Sequence, residues 1–248
     1  TSDLTVWVTG IVFVIVNLFV AYCVWRFRYR ADARAAYEPE NKKLEFWLTI
    51  ATTVGIIALL LPGLITWANF VNVPEEALEM EAVGQQWSWS YRFPGEDGVF
   101  GQTRAELVDE ESNPIGLNRD GYGADDIWTI NQLHLPVNKK ALLYITSKDV
   151  IHGFALNEMR IKQDAIPGLM IPIYFTPNLT SKEFLEKIKG TAREGMGYEI
   201  ACAQLCGNSH YKMKGYMTIH NQEEYDNWLS QEAEYLEAEG EDDWDDEW

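Results

Sequence analysis

Two long apolar runs dominate the first third of the chain. Leu4 to Trp25 spans 22 residues without a charge, interrupted only by Thr5, Thr9 and Asn17, and Phe46 to Val71 spans 26. Each exceeds the roughly 20 residues needed to cross a bilayer as a helix. A signal peptide would have a shorter apolar core and a small-residue cleavage site, and would leave the second run unexplained. The pattern predicts a transmembrane helical hairpin over residues 1–72, with spans at about 4–25 and 46–71. Pro62-Gly63 reads as a kink and Val73-Pro74 as an exit from the membrane.

From Met80 the period changes from helical to two. Trp87, Trp89, Tyr91 and Phe93 alternate with Gln86, Ser88, Ser90 and Arg92, the pattern of a half-buried strand. Further strands are predicted at Ile127–Leu135, Ala141–Ser147, Leu169–Phe175, Tyr198–Ala201 and Lys214–His220. Short strands between Gly, Pro and Asn turns predict a β-sandwich or barrel over residues 73–220. Residues 94–126 are acidic and weakly periodic, predicting loops with at most one short hairpin. Thr180-Ser-Lys-Glu183 is a capping-box pattern that starts a short helix through Lys189. Tyr225, Trp228, Leu229 and Leu236 recur at helical spacing, predicting a helix from about Gln222 to Leu236.

Charge adds orientation. The segment 26–45 carries Arg26, Arg28, Arg30, Arg34, Lys42 and Lys43, which places it on the cytoplasmic side and both termini on the opposite, periplasmic face. Trp25, Trp47 and Trp67 suit the headgroup belt, and Cys23 and Asn17 read as packing residues within the first span. The net charge of −18 is concentrated late: the last 28 residues hold 13 acidic and no basic groups. Beyond Glu237 this density predicts a solvated, disordered tail, in which Trp244 and Trp248 are candidate anchors for a basic partner surface. The acidic extramembrane surface argues against nucleic acid, whose phosphates it repels, and favours a positively charged soluble partner.

The chemistry is concentrated in Cys202-Ala-Gln-Leu-Cys206-Gly-Asn-Ser-His210-Tyr-Lys-Met213. Two thiols, an imidazole and a thioether within twelve residues form a soft ligand set that selects copper or zinc over hard ions. A single electron-transfer copper needs one Cys, two His and a weak axial Met; the second Cys supplies the extra bridge of a two-copper site. The further imidazole required is best supplied by His152, in Lys148-Asp-Val-Ile-His152. A Cys202–Cys206 disulfide would leave the His and Met unexplained. A closed zinc site of Cys202, Cys206, His210 and His152 has little use for Met213. His134 and His220 fall in strand patterns and read as structural.

The loop resembles the dinuclear copper motif, CuA, of cytochrome c oxidase subunit II, Cys-x-Glu-x-Cys-x-x-x-His-x-x-Met. Asp149-Val-Ile-His152, Lys162-Gln-Asp164-Ala-Ile-Pro-Gly168 and Gln86-Trp87-Ser-Trp89-Ser-Tyr91 resemble other family segments in the same order, so the resemblance covers about residues 4–220. It implies a cupredoxin-like Greek-key sandwich or barrel behind the membrane hairpin. It also implies two copper ions bridged by Cys202 and Cys206, with His152 and His210 each on one copper, Met213 axial to one and the Gln204 backbone carbonyl to the other. Trp87 matches the tryptophan through which electrons enter from cytochrome c, although a strand tryptophan is otherwise a core aromatic. Glu45 matches a proton-pathway entrance, or else is an interfacial carboxylate. Lys162 and Asp164 fit a segment facing the catalytic subunit.

The family's partners are the haem-bearing subunit I, subunit III and cytochrome c, in contact with membrane lipid. Its setting is the bacterial cytoplasmic membrane, or alternatively the mitochondrial inner membrane. This chain departs from the pattern at three places. Gln204 replaces a Glu that reaches a magnesium or manganese ion, and a neutral amide is a poorer ligand for a hard cation. Gln85 replaces a His, and Leu169 replaces an Arg. There is no Cys-x-x-Cys-His for a fused haem c. A quinol oxidase subunit would lack the copper ligands, and a nitrous oxide reductase would need a larger catalytic domain. A membrane-tethered copper carrier without turnover is the competing class.

Overall fold

The structure is a computed structural model that describes residues 2–34, 37, 39–73, 76–110 and 112–242. The chain divides into two compact units, Thr1–Asn72 and Val73–Trp248. The first holds helix α1 (Ser2–Arg26) and helix α2 (Lys42–Val71). At 1.5 Å per residue they are about 37 and 45 Å long, against a hydrocarbon core of about 30 Å. Both pass as membrane spans, and the apolar window of each is exposed along its length. Asn41 caps α2 by accepting from Leu44 N at 3.0 Å. The helix therefore starts four residues before the apolar run, and Glu45 lies in its first turn rather than in the preceding loop. It continues through Pro62.

The second unit packs two five-stranded sheets face to face in a cupredoxin-like sandwich. Its strands are β1 (Leu78–Gln85), β2 (Ser88–Phe93), β3 (Ile127–Ile130), β4 (Gln132–Pro136), β5 (Ala141–Ser147), β6 (His152–Leu156), β7 (Ile161–Ala165), β8 (Ile171–Phe175), β9 (Tyr198–Cys202) and β10 (Lys214–His220). One sheet has the order β3-β2-β1-β5-β8, the other β4-β10-β9-β6-β7. Pairs β1–β5 and β4–β10 are parallel; the remaining pairs are antiparallel. Trp89, Tyr91, Phe93, Leu133, Leu143, Ile145, Phe154 and Ile200 fill the space between the sheets at 2% exposure or less. Each such side chain contributes about 1.5–3 kcal/mol by leaving water.

Three expectations about these strands are corrected. Ile127–Leu135 is two strands, because Asn131 adopts a left-handed φ of 57° and carries the chain from one sheet to the other. Asn131 also staples the sheets: its N–H donates to the Trp89 carbonyl, its Oδ1 accepts from Trp89 N, and its carbonyl accepts from Tyr216 N. The β2 strand is buried on both faces, and residues 94–126 fold over Arg92. Arg92 there bonds Glu81, Asp126 and the Gly101 carbonyl, satisfying a charge that burial would otherwise penalise. Trp87 lies in the turn before β2 rather than in the strand. Strands β6 and β7 were not expected, being five residues each with little alternation.

The capping box forms as expected, with Thr180 and Glu183 starting helix α3 (Ser181–Lys187). Helix α4 (Gln222–Asp242) runs beyond Leu236, so the first part of the stretch expected to be disordered is helical. Pro74, Trp244 and Trp248 lie outside the described residues. The apolar face of α4 closes one flank of the sandwich through Tyr225, Trp228, Leu229 and Leu236. Trp228 stacks on His134 at 4.2 Å and 2°, and His134 Nδ1 lies 2.8 Å from His220 Nε2.

Burial, with the neighbouring His220, lowers His134 from its ordinary 6.5 to about 4. Burial also lowers His220, with Glu224 opposing the shift and Lys182 adding to it. The unfolded chain therefore takes up more protons than the folded one below about 6.5, so stability is full above that pH and falls towards about 4. His134→Phe, which keeps an aromatic ring against Trp228, should flatten part of that fall. Thermal unfolding of the purified chain across this pH range measures it, and equal slopes in both proteins would refute the assignment.

Candidate metal centre

The ligand candidates converge at one end of the sandwich. Strands β9 and β10 are antiparallel neighbours, and the twelve residues from Cys202 to Met213 close the connection between them. Cys202 N donates to the Met213 carbonyl at 3.2 Å, pinching the neck of this loop. His152 is the first residue of β6, which pairs with β9 so that Phe154 faces Cys202. Ala203 N donates to the Gly153 carbonyl at 2.7 Å. A Cβ on Gly153 would stand 2.9 Å from Gln204 N. Glycine there lets the loop lie against β6.

The sulfurs of Cys202 and Cys206 are 3.7 Å apart, and both cysteines are free. Nδ1 of His152 lies 3.9 Å from the Cys202 sulfur, and Nδ1 of His210 3.6 Å from that of Cys206. Met213 Sδ is 3.7 Å from the Cys206 sulfur, and the Gln204 carbonyl is 3.1 Å from the Cys202 sulfur. Ligand atoms of His152, Cys202 and Cys206 all lie within 4.8 Å of one another. His152, Cys202, Cys206 and Met213 are buried, whereas Gln204 is exposed and Leu205 is 78% exposed.

The donor set fits a soft metal. Metal–thiolate bonds of about 2.3 Å allow one ion to touch both sulfurs across the observed gap. Without a cation, burial and then the neighbouring Cys202 push the Cys206 thiol up to about 11, and a bound metal supplies the charge that makes thiolates of such groups. His152 Nε2 is held by Asp149 Oδ1 at 2.8 Å, which leaves Nδ1 directed at the cluster. Burial works to raise the Asp149 carboxyl, but bonds from His152, Gln86 N and Val150 N outweigh it and hold the group below its usual value.

Other expected site residues fall elsewhere. Trp87 is 39% exposed, with its ring against Gly207 in the metal loop. Lys162 and Asp164 are exposed on β7. Glu45 belongs to the helical unit. Three supporting residues were not foreseen. Gly84 leaves room beside His152, Gln86 donates through Nε2 to the Cys206 carbonyl at 2.6 Å, and Asp149 orients His152. Only Asp149 carried a sequence signal, as a carboxylate three residues before a ligand histidine. Gln85, the departure from His, joins Lys148 and Glu110 in a hydrogen-bonded triangle. It ties the acidic segment 94–126 to this end of the fold.

A profile of the family "Cytochrome C oxidase subunit II, periplasmic domain" matches residues 78–220, the whole sandwich with its metal loop. This chain belongs to the cytochrome c oxidase subunit II family. The alternative cytochrome c oxidase subunit 2 of Bradyrhizobium diazoefficiens is 42% identical over 242 residues, covering 97% of this chain and 82% of that relative. Cytochrome c oxidase subunit 2 of Cereibacter sphaeroides is 29% identical over 241 residues, covering 91% and 75%. The crystal structure of the periplasmic domain of subunit II of cytochrome oxidase (CoxB) of Bradyrhizobium japonicum is 28% identical at a TM-score of 0.45, covering 66% of this chain and 99% of that one.

The packing around His152 gives a direct test. Gly84→Ala places a methyl 3.0 Å from His152 Cδ2 and 3.1 Å from Trp89 Cζ3. Trp89 and His152 are both fully buried and meet edge-to-face, so the two rings brace one another. The overpacking should cost about 1–3 kcal/mol in denaturant unfolding of the metal-free chain. An unchanged midpoint would mean that the imidazole shifts freely.

Proposed function

We propose that this chain is the copper-bearing subunit of a membrane cytochrome c oxidase, taking electrons from cytochrome c and passing them to the oxygen-reducing site of subunit I, with coupled proton translocation. The observation that carries the reading is the cluster of two thiols, two imidazoles and a thioether, all but His210 buried, at one end of the sandwich. In this reading Cys202 and Cys206 would be shared by two coppers, His152 and His210 would each hold one, and Met213 and the Gln204 carbonyl would be weak ligands. When bound, the copper pair would supply a one-electron carrier. The residues around it exclude water and fix the donors in place: Asp149 aims His152, and the pinched neck holds Cys202 beside Met213.

Trp87, exposed beside the metal loop, is the contact through which the donor's electron enters. Glu45, in the first turn of α2, is assigned to the entrance of a proton pathway. The membrane hairpin anchors the chain in the bacterial cytoplasmic membrane against subunit I, with subunit III as a further partner and the copper domain and both termini in the periplasm. Gln204 weakens the case for a magnesium or manganese ion at the subunit I boundary, because its side chain is neutral and exposed.

Electron paramagnetic resonance of the purified, copper-loaded chain tests the centre. Cys202→Ser and Cys206→Ser should each abolish the mixed-valence signal, since each removes a bridge. Met213→Leu should retain both coppers and shift the reduction potential, because an axial thioether is a weak ligand. Splitting from a single copper in the wild type, or equal copper loss in all three variants, would overturn the ligand assignment.

The donor reaction tests the relay. Trp87→Phe should slow reduction by cytochrome c at least tenfold while changing the half-saturating donor concentration much less. Raising ionic strength should weaken association with a cationic donor, because surface charges are screened over about 8–10 Å near physiological salt. Equal rates for wild type and Trp87→Phe would remove Trp87 from the path.

A further inference from the structure

Gln86 sits in the β1–β2 turn immediately before Trp87 and is bonded to both arms of the ligand cluster. Its backbone N–H donates to Asp149 Oδ2 at 2.8 Å, and the other oxygen of that carboxylate holds His152 Nε2 at 2.8 Å. Its side-chain Nε2 donates to the Cys206 carbonyl at 2.6 Å. The next residue of the loop, Gly207, has φ +125°, and a Cβ there would stand 2.8 Å from Gln86 Nε2 and 3.3 Å from Trp87 Nε1. No side chain separates the turn from the loop at this point. Among residues 85–87, only Gln86 has hydrogen bonds leading to both the histidine arm and the cysteine arm.

We propose that Gln86 is a positioning residue for electron arrival, locking Trp87 and both ligand arms into one hydrogen-bonded unit. The inference rests on the copper relay proposed above. Covalent and hydrogen-bonded links carry electronic coupling with less loss than a gap of the same length. The Trp87 backbone, the Gln86 side chain and the bond from Gln86 Nε2 to the Cys206 carbonyl form one continuous bonded frame, which holds the Trp87 ring against Gly207 of the loop. The step is a one-electron transfer in which the donor haem is oxidised, the copper pair is reduced by the same electron, and no bond or proton moves. Small displacements at such a contact have large effects on rate, as they do for other positioned reactants.

Gln86→Met in the intact oxidase complex keeps the side-chain length and the backbone N–H to Asp149 but loses the Nε2 donor. Gln86→Glu keeps the shape and places a carboxylate against the Cys206 carbonyl. The proposal expects both variants to retain two coppers and the mixed-valence spectrum. The saturating rate of copper reduction by reduced cytochrome c should fall at least tenfold, with the half-saturating donor concentration changed less than twofold. That split separates positioning from a merely structural role, which would lower copper content or thermal stability and leave the rate per copper centre intact. A saturating rate within twofold of wild type in Gln86→Met, or loss of copper in both variants, would overturn it. A single-copper spectrum in the wild-type complex would remove the relay reading itself, and this inference with it.

Discussion

The antiparallel pairing of β6 with β9 is the contact on which the cluster of candidate metal ligands depends. His152 and Cys202 are fifty residues apart in the chain. The register that sets Phe154 opposite Cys202 brings the start of one strand to the end of the other. The Ala203–Gly153 hydrogen bond then extends the pairing one step into the loop, and it forms only because Gly153 has no side chain to hold the backbones apart. Without this register the loop would keep its cysteines, histidine and methionine but lose its second imidazole. A rigid sheet thus supplies placement that a mobile loop holds less accurately.

Burial and charge act together at the centre. Burial and the neighbouring Cys202 raise the Cys206 thiol, so forming its thiolate carries a cost. A soft cation removes it by compensating the negative charge where the dielectric is low. The Asp149 carboxylate fixes which nitrogen of His152 faces the sulfurs, the arrangement that outer carboxylates give metal-binding histidines. The same end of the sandwich is supported from outside by Gln86 and by the Gln85–Lys148–Glu110 triangle. The turn carrying Trp87, the loop carrying Asp149 and the acidic segment are therefore held together by side chains outside the ligand set.

The opposite flank follows a different logic. There α4 covers an edge where β3 and β4 would otherwise expose apolar side chains, and a stack of Trp228 on His134 replaces solvent. Burial keeps the His134–His220 pair neutral, so this contact belongs to the stability of the fold and not to its metal chemistry. The Arg92 cluster does similar work beneath residues 94–126: one guanidinium bonded by Glu81, Asp126 and a carbonyl lets a charged strand face be covered by loop.

The sequence by itself determined the features that are local in the chain. Apolar runs longer than a bilayer is thick specify two helices long and apolar enough to cross a membrane. Twelve consecutive residues specify the soft ligand chemistry, and alternation specifies the strands that have one wet face. Thr180 and Glu183 specify a helix start, because a capping box is made within four residues. What the tertiary structure decided involves partners far apart in sequence. The sheet change at Asn131, the short strands β6 and β7, the covered face of Arg92, the space at Gly84 and the two-way bonding of Gln86 have no local period. Each is fixed by a hydrogen bond or close approach between segments separated in sequence, and such contacts exist only once the strands have assembled.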